Sequence, residues 1–206
     1  MEFMRRTIVA FLLFFSVISS KAQDYEKLSK AFEASYAAEN KGEYQQAIQA
    51  LLTVYRADSY ELNLRLGWLH YMSGRFTDAL PYYQKSIDLM PVAIEAKLGY
   101  VLPAAALGNW AQVEKQYHEI LKIDPMNTTA NYRMGLIHYG RQEYAQALRF
   151  FEKVLNLYPF DYDTVIMVAW SHLKSGQMRE AKVMFQKALL IRPNDTDALQ
   201  GLGMIK

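Results

Sequence analysis

Residues 60–91 read YELNLRLGWLHYMSGRFTDALPYYQKSIDLMP. Leu66 and Gly67 lie in one helical run, Gly74 breaks it, and Ala79 and Tyr83 lie in a second run that Pro91 ends. Pro125, Pro159 and Pro193 then follow at intervals of 34 residues. A helix terminator that recurs at one such period marks an array of structural repeats. A single pair of antiparallel helices is too small to bury its own apolar face, so neighbouring pairs must stack and share a core. Gly67 and Ala79 are expected where two helix backbones approach closely. Gly74 is expected in the positive-φ turn between the helices, and Pro91 where the helix cannot continue.

The same marks extend in both directions. Upstream, Leu28, Ala31, Phe32 and Tyr36 keep a helical spacing, and Gly42, Tyr44 and Ala47 repeat the turn signature of Gly74, Phe76 and Ala79. The step from Gly42 to Gly74 is 32 residues rather than 34, and no proline ends this unit, so it reads as a degenerate terminal repeat. Downstream, 94–127 keeps Gly108, Trp110, Tyr117 and Pro125 but has Val101 in place of the small residue and Pro103 within its first helix. Proline there is expected to kink or divide the helix. Pro81 falls near the start of its own helix and is a milder case. Residues 128–161 carry Met134, Gly135, Tyr144, Ala147, Phe151 and Pro159, with Gln142 at the turn-glycine position. Residues 162–195 carry Ala169, Gly176, Ala181, Phe185, Ala188 and Pro193, and 196–206 begin a further first helix.

Ahead of the array, Arg5 and Arg6 precede an apolar run, TIVAFLLFFSVIS, and then Ser20-Lys21-Ala22. This is the pattern of a secretory signal peptide over 1–22, with cleavage expected after Ala22. The alternative is an uncleaved anchor, but the run is shorter than the roughly 20 residues that span a bilayer as a helix. The expected location is therefore periplasmic or secreted, without stable membrane insertion once the leader is gone. The chain has no cysteine, which removes disulfides, thiolate chemistry, Cys-based metal sites and a lipid-bearing cysteine. The leader holds Arg5, Arg6 and Lys21 against Glu2, so its removal takes the formal charge from +2 to zero. No basic face is implied, and nucleic acid is not an expected partner.

Leu-Gly in the first helix, Gly at the turn, an aromatic two residues on, Ala early in the second helix and a final Pro resemble the tetratricopeptide repeat (TPR) family. The resemblance covers about the whole mature chain and is strongest over 60–93 and 128–195. It implies an all-α, right-handed solenoid of helix–turn–helix units. These would be about five repeats, at 28–59, 60–93, 94–127, 128–161 and 162–195, with a terminal half-repeat at 196–206. It also implies a protein-interaction scaffold whose first helices line a concave groove, through the second, fifth, ninth, twelfth and thirteenth residues of each unit.

The fifth, ninth and twelfth residues are Phe32, Tyr36 and Glu39, then Leu64, Trp68 and Tyr71, then Leu98, Leu102 and Ala105. Tyr132, Leu136 and Tyr139 follow, and then Ile166, Trp170 and Leu173. All except Glu39 are apolar or aromatic. An exposed stripe of this extent exceeds what a soluble monomer leaves uncovered. Three readings stay open: a groove for an amphipathic helix or extended apolar peptide, partial burial of the stripe in a tightly wound solenoid, and self-association. The first reading takes Trp68, Tyr71, Tyr132, Tyr139 and Trp170 as aromatic anchors. A different alternative is an accessory docking domain of an envelope enzyme or secretion assembly, with no groove ligand. TPR modules that clamp acidic carboxy-terminal peptides use Lys and Asn at positions that are apolar here, so that activity is not expected.

His70, His138 and His172 share the eleventh position of their units. Packed helices stand roughly 10 Å apart, whereas a zinc–nitrogen bond is about 2 Å, so these residues are read as packing positions and not as a metal site. Glu61, Glu95 and Asp163 lie near helix starts, where they favour the helix dipole. Asn127-Thr128-Thr129 and Asn194-Asp195-Thr196 formally match glycosylation acceptors but fit better as helix caps. No phosphate-cradling loop, nucleophile elbow or HExxH is present. Neither an enzyme nor a cofactor is expected.

Overall fold

Pro91, Pro125, Pro159 and Pro193 and the turn glycines lie just past helix ends, and in the computed structural model, which describes residues 24–205, the segments between the loops are helical. The expected leader and Lys206 lie outside the described residues. The chain forms two compact units, the first ending at Asn109 and the second beginning at Trp110. The first holds α1 (24–39), α2 (Tyr44–Leu52), α3 (Tyr60–Met72), α4 (Phe76–Leu89) and α5 (Ile94–Ala106). The second holds α6 (Trp110–Ile123), α7 (Thr128–Gly140), α8 (Tyr144–Leu157), α9 (Tyr162–Lys174), α10 (Met178–Ile191) and α11 (Thr196–Gly203). From α3 to α10 the lengths alternate between 13 and 14 residues. α2 and α11 are shorter, with 9 and 8 residues. No helix among the described residues is long and apolar enough to cross a membrane.

The helix ends follow from local chemistry. Side chains of Ser59, Asn127, Asp161 and Asp195 accept the backbone N–H of Leu62, Ala130, Thr164 and Ala198, capping α3, α7, α9 and α11. Each such cap contributes about 1 kcal/mol. Asn127 is thus a cap, while at the second Asn-x-Thr site Asp195 does the capping and Asn194 turns the chain at φ 64°. The turns within the pairs place Gly42, Gly74, Gly108 and Gly176 at φ 71–77°. A Cβ at any of the four would meet nothing within 4 Å, so backbone conformation alone requires glycine there. Gln142 adopts the same conformation, at φ 63°, with a side chain.

The residue that joins helices is the buried aromatic of α4, α8 and α10. Tyr83 of α4 lies against Gly67 of α3 and Gly99 of α5. A Cβ on Gly67 would sit 2.9 Å from the Tyr83 ring, and one on Gly99 closer still. Gly67 therefore makes room for a ring, not for a helix backbone as expected. In the second unit Phe151 lies over Gly135 in the same way, where an added Cβ would stand 2.5 Å from the ring, and Phe185 lies over Gly201. Ala79, Ala147 and Ala181, one turn before each ring, are fully buried.

The fourth residue of a first helix reaches back to the loop before it. Asn63 donates to the carbonyls of Ala57 (3.1 Å) and Ser59 (2.6 Å). Asn131 donates to those of Pro125 (3.0 Å) and Asn127 (2.9 Å), and the Lys97 ammonium donates to that of Pro91. α5 runs unbroken through Pro103, so the division expected there does not occur. Pro103 stands three residues from the helix end, where its missing N–H costs one intrahelical bond, to the Gly99 carbonyl, and later turns do not depend on it.

Urea unfolding of two substitutions tests these roles. Gly99→Ala drives a methyl into the Tyr83 ring and is expected to cost about 1–3 kcal/mol. Gln142→Gly relieves a left-handed residue and is expected to add about 1 kcal/mol.

Candidate protein-binding faces

The first helices supply the residues singled out above, and the two units present them separately. In the first unit Tyr36 is 50% exposed and Leu102 38% exposed, while Phe32, Leu64, Trp68, Tyr71 and Leu98 are half-buried. In the second unit Tyr132, Leu136, Tyr139 and Trp170 are half-buried. Ile166 and Leu173, at 6% and 9%, belong to the core and do not form part of a binding face. Leu202 and Ile205 are among the side chains that pack against the cluster that contains them. The stripe is therefore not continuously exposed. Its residues mostly rest on the core beneath and show one edge to solvent.

Polar atoms on these faces are paired by residues that sequence spacing did not reveal. The Trp68 indole N–H donates to Glu39 Oε1 at 2.6 Å, and Glu39 Oε2 accepts from the Arg65 guanidinium. Arg65 is itself buried and lies 3.9 Å from the centre of the Tyr36 ring, a cation–π contact. Tyr71 completes the patch, 6.0 Å from Trp68 and 5.7 Å from Phe76 between ring centres. Glu39, the single polar residue in the expected stripe, thus holds the tryptophan and arginine in place. In the second unit the Trp170 indole N–H donates to Asp197 Oδ1 at 3.1 Å, and its ring meets Phe185 edge-on at 5.1 Å. Tyr132 tilts against Phe151 and Tyr139 meets Tyr144 edge-on, at 5.7 and 5.3 Å.

Two of the three eleventh-position histidines stack on aromatic rings. His70 stacks on Tyr82 and His138 on Phe150, 5.1 and 5.2 Å between ring centres. His138 Nδ1 faces Glu143 Oε2, and His172 Nδ1 faces Gln177 Oε1 at 2.6 Å, five residues on in each case. Burial and the nearby Arg75 charge lower the His70 pKa, against the opposing pull of Asp78, and so favour its neutral ring. No group of three or more metal-ligating side chains occurs among the described residues.

Burial alone would raise the Glu39 pKa, but hydrogen bonds from Arg65 and Trp68 and the Arg65 charge outweigh it and hold the carboxyl below its usual 4.5. A carboxyl depressed in the folded state stabilises the fold above its unfolded pKa and loses that contribution as pH falls through the folded one. Stability should therefore decline below about pH 4.5, and the decline should be shallower in Glu39→Gln. Glu39→Ala leaves the buried Arg65 charge without its carboxylate, and urea unfolding at pH 7 should show a loss of about 3 kcal/mol.

Two family models, both described as tetratricopeptide repeat, match the chain, one over residues 32–93 and 103–162 and the other over 138–205. TPR repeat-containing protein YpiA of Bacillus subtilis is 26% identical over 165 residues, 78% of this chain and 39% of that protein. Protein O-mannosyl-transferase TMTC1 of Homo sapiens is 26% identical over 170 residues, 79% of this chain and 18% of that protein. The chain thus spans well under half the length of either relative. Among solved structures, a tetratricopeptide repeat protein from Parabacteroides merdae superposes with a TM-score of 0.74 at 21% identity, over 85% of this chain and 71% of that one. A crystal structure of MamA protein gives 0.70 at 21% identity, over 81% and 92%. At these identities the structural likeness speaks to the fold. The repeat models reach from α1 to α11, and the chain belongs to the tetratricopeptide repeat family.

Proposed function

We propose that this chain is a non-enzymatic interaction scaffold that holds an apolar peptide or amphipathic helix of another protein against its first-helix faces. Family membership supports the scaffold role, since tetratricopeptide repeats generally bind proteins or peptides. The observation that carries the finer reading is the patch of Tyr36, Trp68 and Tyr71. There, Glu39 accepts the indole N–H and Arg65 backs the Tyr36 ring, so an incoming apolar side chain meets aromatic surface whose tryptophan N–H is already hydrogen-bonded. Rigid aromatic groups of this kind contribute contact area at little cost in conformational entropy. Tyr132, Leu136, Tyr139 and Trp170 offer the second unit's surface for the same class of partner.

A second observation favours docking away from these faces. Around Pro159, Leu157, Tyr158 and Phe160 are 48%, 56% and 61% exposed, a run of apolar surface at a loop between helix pairs. This supports the reading of an accessory domain that docks on an enzyme or secretion assembly through its edges.

Capture of partners on the purified protein, read by quantitative mass spectrometry, separates the two. Under the leading reading Tyr36→Ala/Leu102→Ala, which alters exposed atoms and spares the core, lowers recovery of the partner at least tenfold. Under the second reading Tyr158→Ala/Phe160→Ala has that effect. Recovery unchanged by the first pair removes the first-helix reading.

The Arg5-Arg6, apolar and Ser20-Lys21-Ala22 pattern supports export to the periplasm or beyond. The intact mass of protein recovered from its native host should correspond to a chain beginning at Gln23. Full-length chain in the membrane fraction would overturn this and favour an anchor.

A further inference from the structure

A cavity of about 390 Å³ opens in the second unit between the starts of α7 and α9 and the end of α8. Tyr132, Arg133, Tyr158, Asp161, Asp163 and Thr164 are among the residues that line it. A water molecule takes about 30 Å³ of liquid, so the cavity has room for a side chain. It lies inside the array, with α6 before α7 and α10 after α9 in the same unit. Asp161 commits one carboxylate oxygen to the cap of α9, where Oδ2 accepts the Thr164 N–H and hydroxyl at 2.9 and 2.6 Å. Its Oδ1 has no protein hydrogen bond among the described residues. Asp163 meets Arg192 at 3.7 Å, with both side chains more than half exposed, and an exposed pair of that length holds a carboxylate weakly. Arg133 is the cation in the lining, yet the field beside it is negative. Burial raises the Tyr132 pKa most, the charges of Asp163 and Asp161 raise it further, and each of them outweighs the opposing charge of Arg133.

We propose that this cavity receives the guanidinium of an arginine side chain carried by the peptide held on the second unit's first-helix face. The proposal rests on the scaffold reading above, and Tyr132 is common to that face and to the cavity. The chain makes the same arrangement twice with its own arginines. Arg65 lies over the Tyr36 ring while its guanidinium meets Glu39. Arg192 lies 3.5 Å from the centre of the Tyr162 ring while it meets Asp163. The cavity brings together those two elements, tyrosine and carboxylate. A guanidinium is flat, so it can stack on a ring and donate to a carboxylate in its own plane, whereas the lysine ammonium is a compact point charge. Two carboxylates against the one arginine of the lining leave the site short of one positive charge.

The test titrates the isotope-labelled full chain with N-acetyl-arginine methylamide, and with N-acetyl-citrulline methylamide as its uncharged isostere, read by nuclear magnetic resonance. The amides of Thr129, Asp163 and Thr164 should shift saturably with the arginine probe, and at least tenfold more weakly with the citrulline one. Asp161→Asn/Asp163→Asn should weaken binding at least tenfold while circular dichroism matches wild type, since asparagine still caps α9. Arg133→Gln should tighten binding about two- to fivefold, the size of an exposed charge pair. At saturating concentration the arginine probe should lower recovery of the captured partner, and the citrulline probe should not. Equal shifts with the two probes, tighter binding of N-acetyl-lysine methylamide, or partner recovery that the arginine probe leaves unchanged overturns the proposal. A partner lost from Tyr36→Ala/Leu102→Ala, with no probe bound at the cavity, removes the arginine site and leaves the scaffold reading standing.

Discussion

An aromatic ring seated over a glycine joins α3 to α4 and α5, α7 to α8, and α10 to α11. A helix pair has no interior of its own, so cohesion depends on how deeply one helix can sink into its neighbour. Tyr83, Phe151 and Phe185 are the large side chains that do so, and glycine beneath the ring brings its carbons to van der Waals distance of backbone. Fully burying one such side chain stabilises by roughly 1.5–3 kcal/mol relative to exposure. Tyr83 contacts the first helix of its own pair and that of the next, so this single residue makes α3, α4 and α5 one body. Capping residues and left-handed turns then set where each helix starts and stops.

The same arrangement explains what the first helices show to solvent. A helix held closely on one side has less surface left on the other, and most of the aromatic stripe is consequently half-buried. The indoles of Trp68 and Trp170 nevertheless carry a polar N–H that must be satisfied, and each finds a carboxylate from an adjacent first helix or its start, Glu39 and Asp197. These acids orient the rings. They also fix which edge of each tryptophan faces solvent.

Much of the architecture is legible in the order of residues because its determinants are local. Pro91, Pro125, Pro159 and Pro193 follow helix ends and Gly74, Gly108 and Gly176 turn the chain between helices, and a period of 34 residues repeats both effects. Register even identifies Gln142 as a left-handed residue despite its side chain, since it stands where the other turns have glycine. Depth is a different matter. Ile166 and Leu173 occupy the same register as Tyr132 and Tyr139, yet Leu202 and Ile205 pack against their cluster, and no periodicity predicts that cover. The Glu39–Trp68 bond joins residues 29 apart, which no motif records. Pro103 reads as a fault in the sequence because proline costs most inside a helix. Near the helix end it removes only one bond.

The glycine under each ring also bears on the order of the repeats. Gly99 and Gly201 stand sixth in their first helices and meet the ring of the preceding second helix, whereas Arg65 and Met167 stand sixth in theirs. Placed behind Tyr83, the unit beginning at Tyr60 would bring an arginine to the site where even a methyl group meets the ring. The units look alike, yet α5 and α11 are each fitted to the ring of the helix before. Moving the unit that begins at Tyr60 would keep every turn and cap intact and still disturb the packing around Tyr83, so the array behaves as an ordered sentence and not as a string of interchangeable words.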